Sequence, residues 1–319
     1  MQVRAQTLAG RMARTLAIGA ALFAIAPTAS AVTIDWVSVG NPGNAADTTG
    51  YGAVGYAYQI DKYEVTNAQY AEFLNAKAAS DPLALYSTSM GSGTGGITRS
   101  GVSGSFTYSA IAGRGDMPMN FVSFYDTLRF ANWLNNGQGA GSTETGAYTL
   151  LGGTATPSNG TTVTRNAGAT IVLTSEDEWY KAAYYNALTT SYFDYPAGSD
   201  TQTTCATPTA TANRANCNNV VGDLTNKGSY TGSASPYGTF DQGGNAWEWN
   251  EAIPSPTNRF VRGGSFSQTA VNLAASFRLS ASYVTESDDI GFRVASIPEP
   301  GTGLLVMIGM LGLARRRER

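Results

Sequence analysis

The stretch "FDQGGNAWEWNE", Phe240 to Glu251, sets two tryptophans, three acids and two asparagines around the step Gly243-Gly244 in a chain otherwise poor in charge. A Gly-Gly pair lets the backbone enter left-handed or close-approach conformations that other residues resist, so the flanking carboxylates and amides can converge on one point. The residue types allow three readings: a site for a hard cation, a rim for a sugar, or a tight turn whose tryptophans belong to the core.

Working outward, three segments carry helix signals. "EVTNAQYAEFLNAKAA" offers Thr66 as an N-cap and puts Tyr70, Phe73 and Leu74 on one face. "NFVSFYDTLRFANWLNN" has Ser123 three residues before Asp126, then Leu128, Ala131 and Leu134 at helical spacing. "LTSEDEWYKAAYYNA" opens on Ser175-Glu176-Asp177-Glu178, a capping box whose hydroxyl and carboxylate satisfy the first free amides. Short strands are expected at Ala57 to Asp61, Thr170 to Leu173, Phe260 to Gly263 and Ile290 to Ala295. The stretches "STSMGSGTGGITRSGVSGS" and "GGTATPSNGTTVTRNAG" lack helical periodicity and read as surface loops or hairpins. Charged residues make up 13% of the chain against a usual ~25%, which suits a loop-rich exported domain with a polar, weakly charged surface. No internal repeat is apparent.

Six motifs now carry a resemblance. "IDKYEVTNAQYAEFLN", "MPMNFVSFYDTLRFANWL", "IVLTSEDEWYKAA", "GTFDQGGNAWEWNE", "VRGGSF" and "DDIGFRVA" stand in the order and spelling of the formylglycine-generating enzyme family, also called sulfatase-modifying factors. The resemblance covers nearly all of the mature chain, from about Ile34 to Ala295. The resemblance implies an α+β fold, an irregular C-type-lectin-like (sulfatase-modifying-factor) architecture with short sheets, few helices and much loop. Trp133, Trp179, Trp247 and Trp249 all fall inside motifs, where large aromatics can brace a structure with little regular sheet, and are read as core.

In that family the Gly-Gly turn holds calcium. The carry-over assigns side-chain oxygens of Asp241 and Glu248 to the ion, with backbone carbonyls of Gly244 and Ala246. Calcium takes six to eight hard oxygens in a flexible cage, and mixed carboxylate and carbonyl ligands from one turn suit it. Asn245 and Trp247 would cap and pack. A second family calcium site would use side chains of Asn216 and Asp223 with carbonyls of Cys217 and Thr225. A structural turn without an ion is the alternative.

The chemistry of the family's oxidases departs here. They bind copper through two cysteines after the Gly-Gly-Ser motif, whereas "RGGSFSQTAVNLAASFRLS" holds Ser267, Gln268 and Leu273 in the matching region. Cu(I) is a soft ion that selects thiolate and thioether ligands, so copper is not expected. The only cysteines, Cys205 and Cys217, are most simply one disulfide of an exported protein. Histidine is absent, which excludes Ser-His-Asp and Cys-His hydrolysis and His-ligated iron. The acid pairs Asp288-Asp289 and Glu176-Glu178 read as solvated turns and helix starts.

The ends decide the compartment. Residues 1–31 combine Arg4, Arg11 and Arg14, an apolar run from Leu16 to Ala26 and the triplet Ala29-Ser30-Ala31, the pattern of a cleavable export signal. Residues 297–319, "IPEPGTGLLVMIGMLGLARRRER", join Pro298-Glu299-Pro300 to an apolar run shorter than the ~20 residues of a stable span and to an arginine cluster. This tail resembles the bacterial PEP C-terminal sorting signal, which an exosortase-type system processes at the envelope; a weak tail anchor is the alternative. Seven of the 20 basic residues lie in these ends, and one of the 23 acidic ones, Glu318, lies beyond the Pro298-Glu299-Pro300 motif; the chain from residue 32 to Pro300 is left with 13 against 22, a net charge of −9. So acidic a domain lacks the basic footprint that nucleic acid demands.

The sequence thus describes an export signal, a domain over 32–296 and a sorting tail that is the sole membrane contact. The leading reading is an envelope-associated, non-catalytic domain at the outer surface or in the extracellular matrix, binding a glycan or exopolysaccharide, with the export and sorting machinery as partners. Tyr230, Phe266 and Tyr283 are candidates for stacking on sugar as well as for packing. The alternatives are a formylglycine-generating-type oxidase or other enzyme, and a structural component of an exopolysaccharide matrix.

Overall fold

The computed structural model describes residues 31–299. Residues 1–30 of the expected export signal (1–31) and residues 300–319 of the sorting tail (297–319) lie outside the described residues. In chain order the elements are β1 (Trp36–Val39), β2 (Tyr58–Asp61), α1 (Asn67–Lys77), β3 (Ile97–Ser100), β4 (Thr107–Ala110), α2 (Phe124–Asn135), β5 (Ile171–Leu173) and α3 (Glu176–Tyr184). Four two-residue strands follow, β6 (Tyr185–Asn186), β7 (Ser191–Tyr192), β8 (Thr204–Cys205) and β9 (Arg214–Ala215). The chain then forms β10 (Trp247–Trp249), β11 (Asn258–Arg262), β12 (Leu279–Ser282), β13 (Ile290–Gly291) and β14 (Val294–Ser296). This is the irregular α+β fold with much loop that the motifs imply.

Each helix starts at a capping box. Thr66, Ser123 and Ser175 accept from the backbone N–H three residues on, and Gln69, Asp126 and Glu178 reach back to the cap amide. Such reciprocal caps satisfy donors that a helix cannot satisfy itself. They fix where α1, α2 and α3 begin, and so aim their apolar faces. Tyr70, Phe73, Phe130, Trp133 and Phe292 meet with ring centroids 5.2–6.5 Å apart, Tyr70 stacked on Phe130 and the other pairs tilted or edge-on, arrangements that aromatic quadrupoles favour. Every residue of α2 from Phe124 to Leu134 is buried, so this helix is the spine of the core.

Two four-stranded sheets flank that core, ordered β1-β2-β14-β5 and β12-β11-β10-β13. The segment Ile290 to Ala295, expected as one strand, is divided between them. Ile290–Gly291 runs parallel to β10 while Val294–Ser296 runs antiparallel to β2 and β5. The physical reason lies between: Phe292 turns into the aromatic cluster and Arg293 into a buried ion pair, both with no exposed surface. One short run therefore couples both sheets. The glycine-rich stretch at 87–105 supplies β3 and the turn of its hairpin with β4.

Candidate functional site

The turn Phe240–Glu251 is buried and tightly crossed. Asp241, Gly244 and Asn245 have φ of 61°, 82° and 61°, the left-handed region that favours glycine and tolerates Asn and Asp. A Cβ on Gly244 would stand 2.3 Å from Asn216 O, so glycine is required there for two independent reasons. The loops are laced by Gly244 N–H to Gly263 O at 2.9 Å, Asn245 N–H to Asn216 O at 2.9 Å and Phe266 N–H to Asn245 O at 2.8 Å.

Of the expected ligands in this turn, Glu248 is committed elsewhere. Its oxygens accept from Arg293 Nε and Nη2, each at 2.6 Å, and from Trp179 Nε1 at 2.7 Å, and Glu248 and Arg293 are fully buried. Arg293 also donates to Asp61 O and Phe240 O, both at 3.0 Å, tying the start of the turn to the end of β2. Asp241 accepts from Gly228 N–H at 2.6 Å. The Ala246 N–H points at Glu64 Oε1 at 3.2 Å, with Asn245 Nδ2 at 3.4 Å from Glu64 Oε2. Glu64 was not singled out from the sequence, because nothing in "DKYEVTN" announces a partner 181 positions away.

Negative charge is in surplus around that one guanidinium. Burial pushes the Asp61 carboxyl up to about 7 and the Asp241 carboxyl up to about 6. Burial, then the charges of Asp241 and Glu248, push Glu64 well above the usual carboxylate range. Asp61 Oδ2 is buried without a hydrogen-bond partner.

At the second expected site, Asn216 fits a hard cation better than Asp223 does. Asn216 Oδ1 is buried and unpartnered, while its Nδ2 donates to Asp223 O at 2.8 Å and to Asn245 Oδ1 at 3.2 Å. The Asp223 carboxylate is held in a fork by Arg114 at 2.7 and 3.0 Å. Thr225 N–H donates to Asn245 Oδ1 at 2.9 Å, and the Cys217 carbonyl accepts from Val220 N–H at 3.2 Å. The structure therefore brings Asn216, Thr225, Gly244 and Asn245 together. It gives the acid ligands Glu248 and Asp223 to arginines. Among the described residues no three acids, cysteines or histidines are placed to share an ion.

The region matching the copper cysteines lies next to this turn. Ser265 Oγ donates to Asp289 Oδ2 at 2.8 Å, Ser267 Oγ to the same oxygen at 3.3 Å, and Ser287 Oγ to Asp289 Oδ1 at 2.7 Å. The Gln268 side-chain amide donates to Ser267 Oγ at 3.4 Å, and Leu273 is fully buried, packed beside Cys217 and Ala215. Cys205 and Cys217 form a disulfide, and among the described residues no cysteine is free. Hydroxyl, amide and alkyl groups do not fit a soft copper ion.

Residues 46–297 match the sulfatase-modifying factor enzyme 1-like domain. The chain belongs to this family. Residues 296–318 match the PEP-CTERM protein-sorting motif, which marks this sulfatase-modifying-factor protein for export and envelope association through an exosortase-type system. Among solved structures it resembles variable protein 1 of Treponema denticola, at 18% identity and a TM-score of 0.53 over 85% of this chain and 98% of that one. It also resembles the protein named CarF in its crystal structure, at 21% identity and a TM-score of 0.52 over 83% of this chain and 99% of that one. Both likenesses are of fold. No curated protein matches the sequence.

Some readings of individual residues in this family member need correction. The pair Glu176-Glu178 is not solvated. Glu176 is buried against Arg262 at 2.6 Å and Arg278 at 3.0 Å, and fully buried Glu178 meets Arg165 at 2.7 Å. Burial opposes the Glu178 charge, but the hydrogen bonds and charge of Arg165 prevail and hold its carboxyl below the usual range. Asp289 serves the serine cluster rather than a free turn. All four motif tryptophans are core, at most 2% exposed. Phe266 and Tyr230 are buried too, and Tyr283 packs on Tyr125 with centroids 5.1 Å apart, which removes Phe266 and Tyr230 as faces for a sugar.

Proposed function

We propose that this exported family member is a non-catalytic binding domain displayed at the outer surface or in the extracellular matrix, with a glycan or exopolysaccharide as its ligand. The observation that carries the reading is the replacement of both copper-binding positions by Gln268 and Leu273 while the sole cysteines are consumed in a disulfide. Formylglycine formation in the family needs a pair of thiolates on copper, and no thiol remains to supply them. The Asp289 cluster adds no general base of the usual kind, since the chain has no histidine to take a proton from serine.

The ion we assign to the scaffold is calcium, taken at the join of the two turns. The unpartnered, buried Asn216 Oδ1 and the excess of carboxylates around Arg293 support it, since a buried acceptor and surplus negative charge both favour a hard cation. Its role is structural.

The test of the non-catalytic reading is direct. The purified protein, given copper, oxygen and reductant, should leave a sulfatase-type Cys-x-Pro-x-Arg peptide unchanged and retain no copper, as read by mass spectrometry and metal analysis. Copper retention is expected only in the double variant Gln268→Cys with Leu273→Cys. Peptide turnover by the unaltered protein would restore the enzyme.

A further inference from the structure

A groove of about 520 Å³ is walled by residues 45–49, by 190–192 with Asp194, at and after the β6–β7 turn, and by Ala275 and Ser276. That volume lies within the ~300–1,000 Å³ usual for small-molecule sites. Its walls come from three separated parts of the chain and are pinned to one another. Asn44 Nδ2 donates to Tyr192 Oη at 2.6 Å, Tyr192 Oη lies 2.9 Å from Ala45 O, and Ala275 N–H donates to Asp194 O at 2.8 Å. The Tyr180 hydroxyl bonds Asp47, and Thr49 Oγ1 donates to Tyr180 Oη at 2.8 Å. The walls are thus organised before any ligand arrives, which lowers the entropic cost of binding.

The chemistry of the lining selects the ligand class. Thr48, Thr190, Ser191 and Ser276 bring hydroxyls and Asp47 and Asp194 bring carboxylates, while no lysine or arginine lines the groove. Hydroxyls both donate and accept, and carboxylates accept, which matches a molecule that is itself a lattice of hydroxyl groups. The alanines at 45, 46 and 275 leave small apolar patches for C–H faces. A phosphate, sulfate or uronate would meet two carboxylates and no cation, an unfavourable charge pairing. A lipid would leave the hydroxyls unpaired. The Asp194 side chain is exposed and its carboxylate has no hydrogen-bond or ion-pair partner among the described residues, so its oxygens remain open to a ligand. Asp47 is already satisfied by Thr48, Thr49 and Tyr180 and orders its wall.

We propose that this groove is the protein's saccharide site and that it takes a neutral sugar, with Asp194 and the surrounding hydroxyls as its hydrogen-bonding groups. The inference rests on the binding-domain reading and gives it a place and a ligand class.

The experiment probes the full-length exported protein with neutral gluco-, galacto- and manno-oligosaccharides, oligouronates and chitosan oligomers. Ala46→Trp fills the groove from an exposed position and Asp194→Ala removes the open acceptor, while Val102→Trp, an exposed position on the β3–β4 hairpin turn, serves as the control. At least one neutral oligosaccharide should bind, about tenfold more weakly to each groove variant, as expected for a lost charged hydrogen bond or a blocked pocket, and unchanged in the control. Should Ala46→Trp misfold, Asp194→Ala carries the test alone. Neutral sugar bound equally by the groove variants overturns the groove and leaves the binding-domain reading standing. Retention of oligouronates, or of chitosan alone, also overturns the groove, and retention of no saccharide overturns the groove together with the glycan ligand proposed above. The non-catalytic reading falls separately, on turnover of the sulfatase-type peptide.

Discussion

The turn Phe240–Glu251 and the segment Ser265–Ser276 touch through the bond from Phe266 N–H to Asn245 O, yet they handle polar groups in different ways. In the first, a charged pair is fully buried, and Arg293 spends its donors on Glu248, Asp61 O and Phe240 O. Beside the second, the hydroxyls of Ser265, Ser267 and Ser287 surround the half-buried Asp289 carboxylate, and Leu273 is buried against Ala215 and Cys217. The first arrangement spans two sheets and ties positions 232 residues apart in sequence. The second ties neighbours within one corner. The difference separates two uses of polar groups: the charged turn ties the two sheets together, while the segment beside it carries hydroxyl, amide and alkyl groups that bind only near neighbours.

The hardest way to break this comparison is to remove its hub. Arg293→Met leaves Glu248 buried without its counter-charge and strands the two carbonyls that Arg293 serves. Losing one partner of a buried pair costs about 3–5 kcal/mol, because the remaining charge is uncompensated. Urea unfolding should record a loss of that size with an unchanged denaturant slope. A loss under about 1 kcal/mol would mean that the pair behaves like a surface one and is not the scaffold's hub.

How much of this was legible in the sequence depends on the reach of each interaction. The three helices were readable because a capping box needs residues only three apart, and Thr66, Ser123 and Ser175 each present one. The motif order gave away the fold, and the buried state of Trp179, Trp247 and Trp249 followed from it. The division of Ile290–Ala295 between two sheets was hidden, because Phe292 and Arg293 look like any other strand residues until their distant partners are known. The expected calcium ligands come from the family resemblance, but the engagement of Glu248 by Arg293 and of Asp223 by Arg114 rests on contacts 45 and 109 residues apart. The groove was hidden for the same reason. Its three walls lie far apart in the chain, and none of them has a motif of its own.

A second prediction sharpens the comparison at the join of the turns. If calcium is held by Asn216 Oδ1, the ion binds the native state and stabilises it by mass action, about 2.7 kcal/mol at a hundredfold excess over the dissociation constant. Chelator should therefore lower the thermal midpoint of the unaltered protein. Asn216→Leu also breaks the bonds to Asp223 O and Asn245 Oδ1, so its absolute midpoint falls in any case. The informative quantity is the further change on adding chelator, which should vanish in the variant. An equal response in both proteins would remove Asn216 from the site.

The smallest effect is expected in the serine corner. Ser265 Oγ gives Asp289 one hydrogen bond of 2.8 Å, but the same carboxylate also receives Ser267 and Ser287, and it is only half buried. Ser265→Ala removes a single donor from a group that keeps two others, and a typical hydrogen bond contributes about 0.5–1.5 kcal/mol net. Unfolding measurements should find a loss near 1 kcal/mol, several times smaller than that of Arg293→Met. The corner is then a region whose residues can change at low cost, which supports the proposal that Gln268 and Leu273 stand where the family's oxidases carry thiols. A loss as large as that of Arg293→Met would erase the contrast and make the serine cluster part of the scaffold.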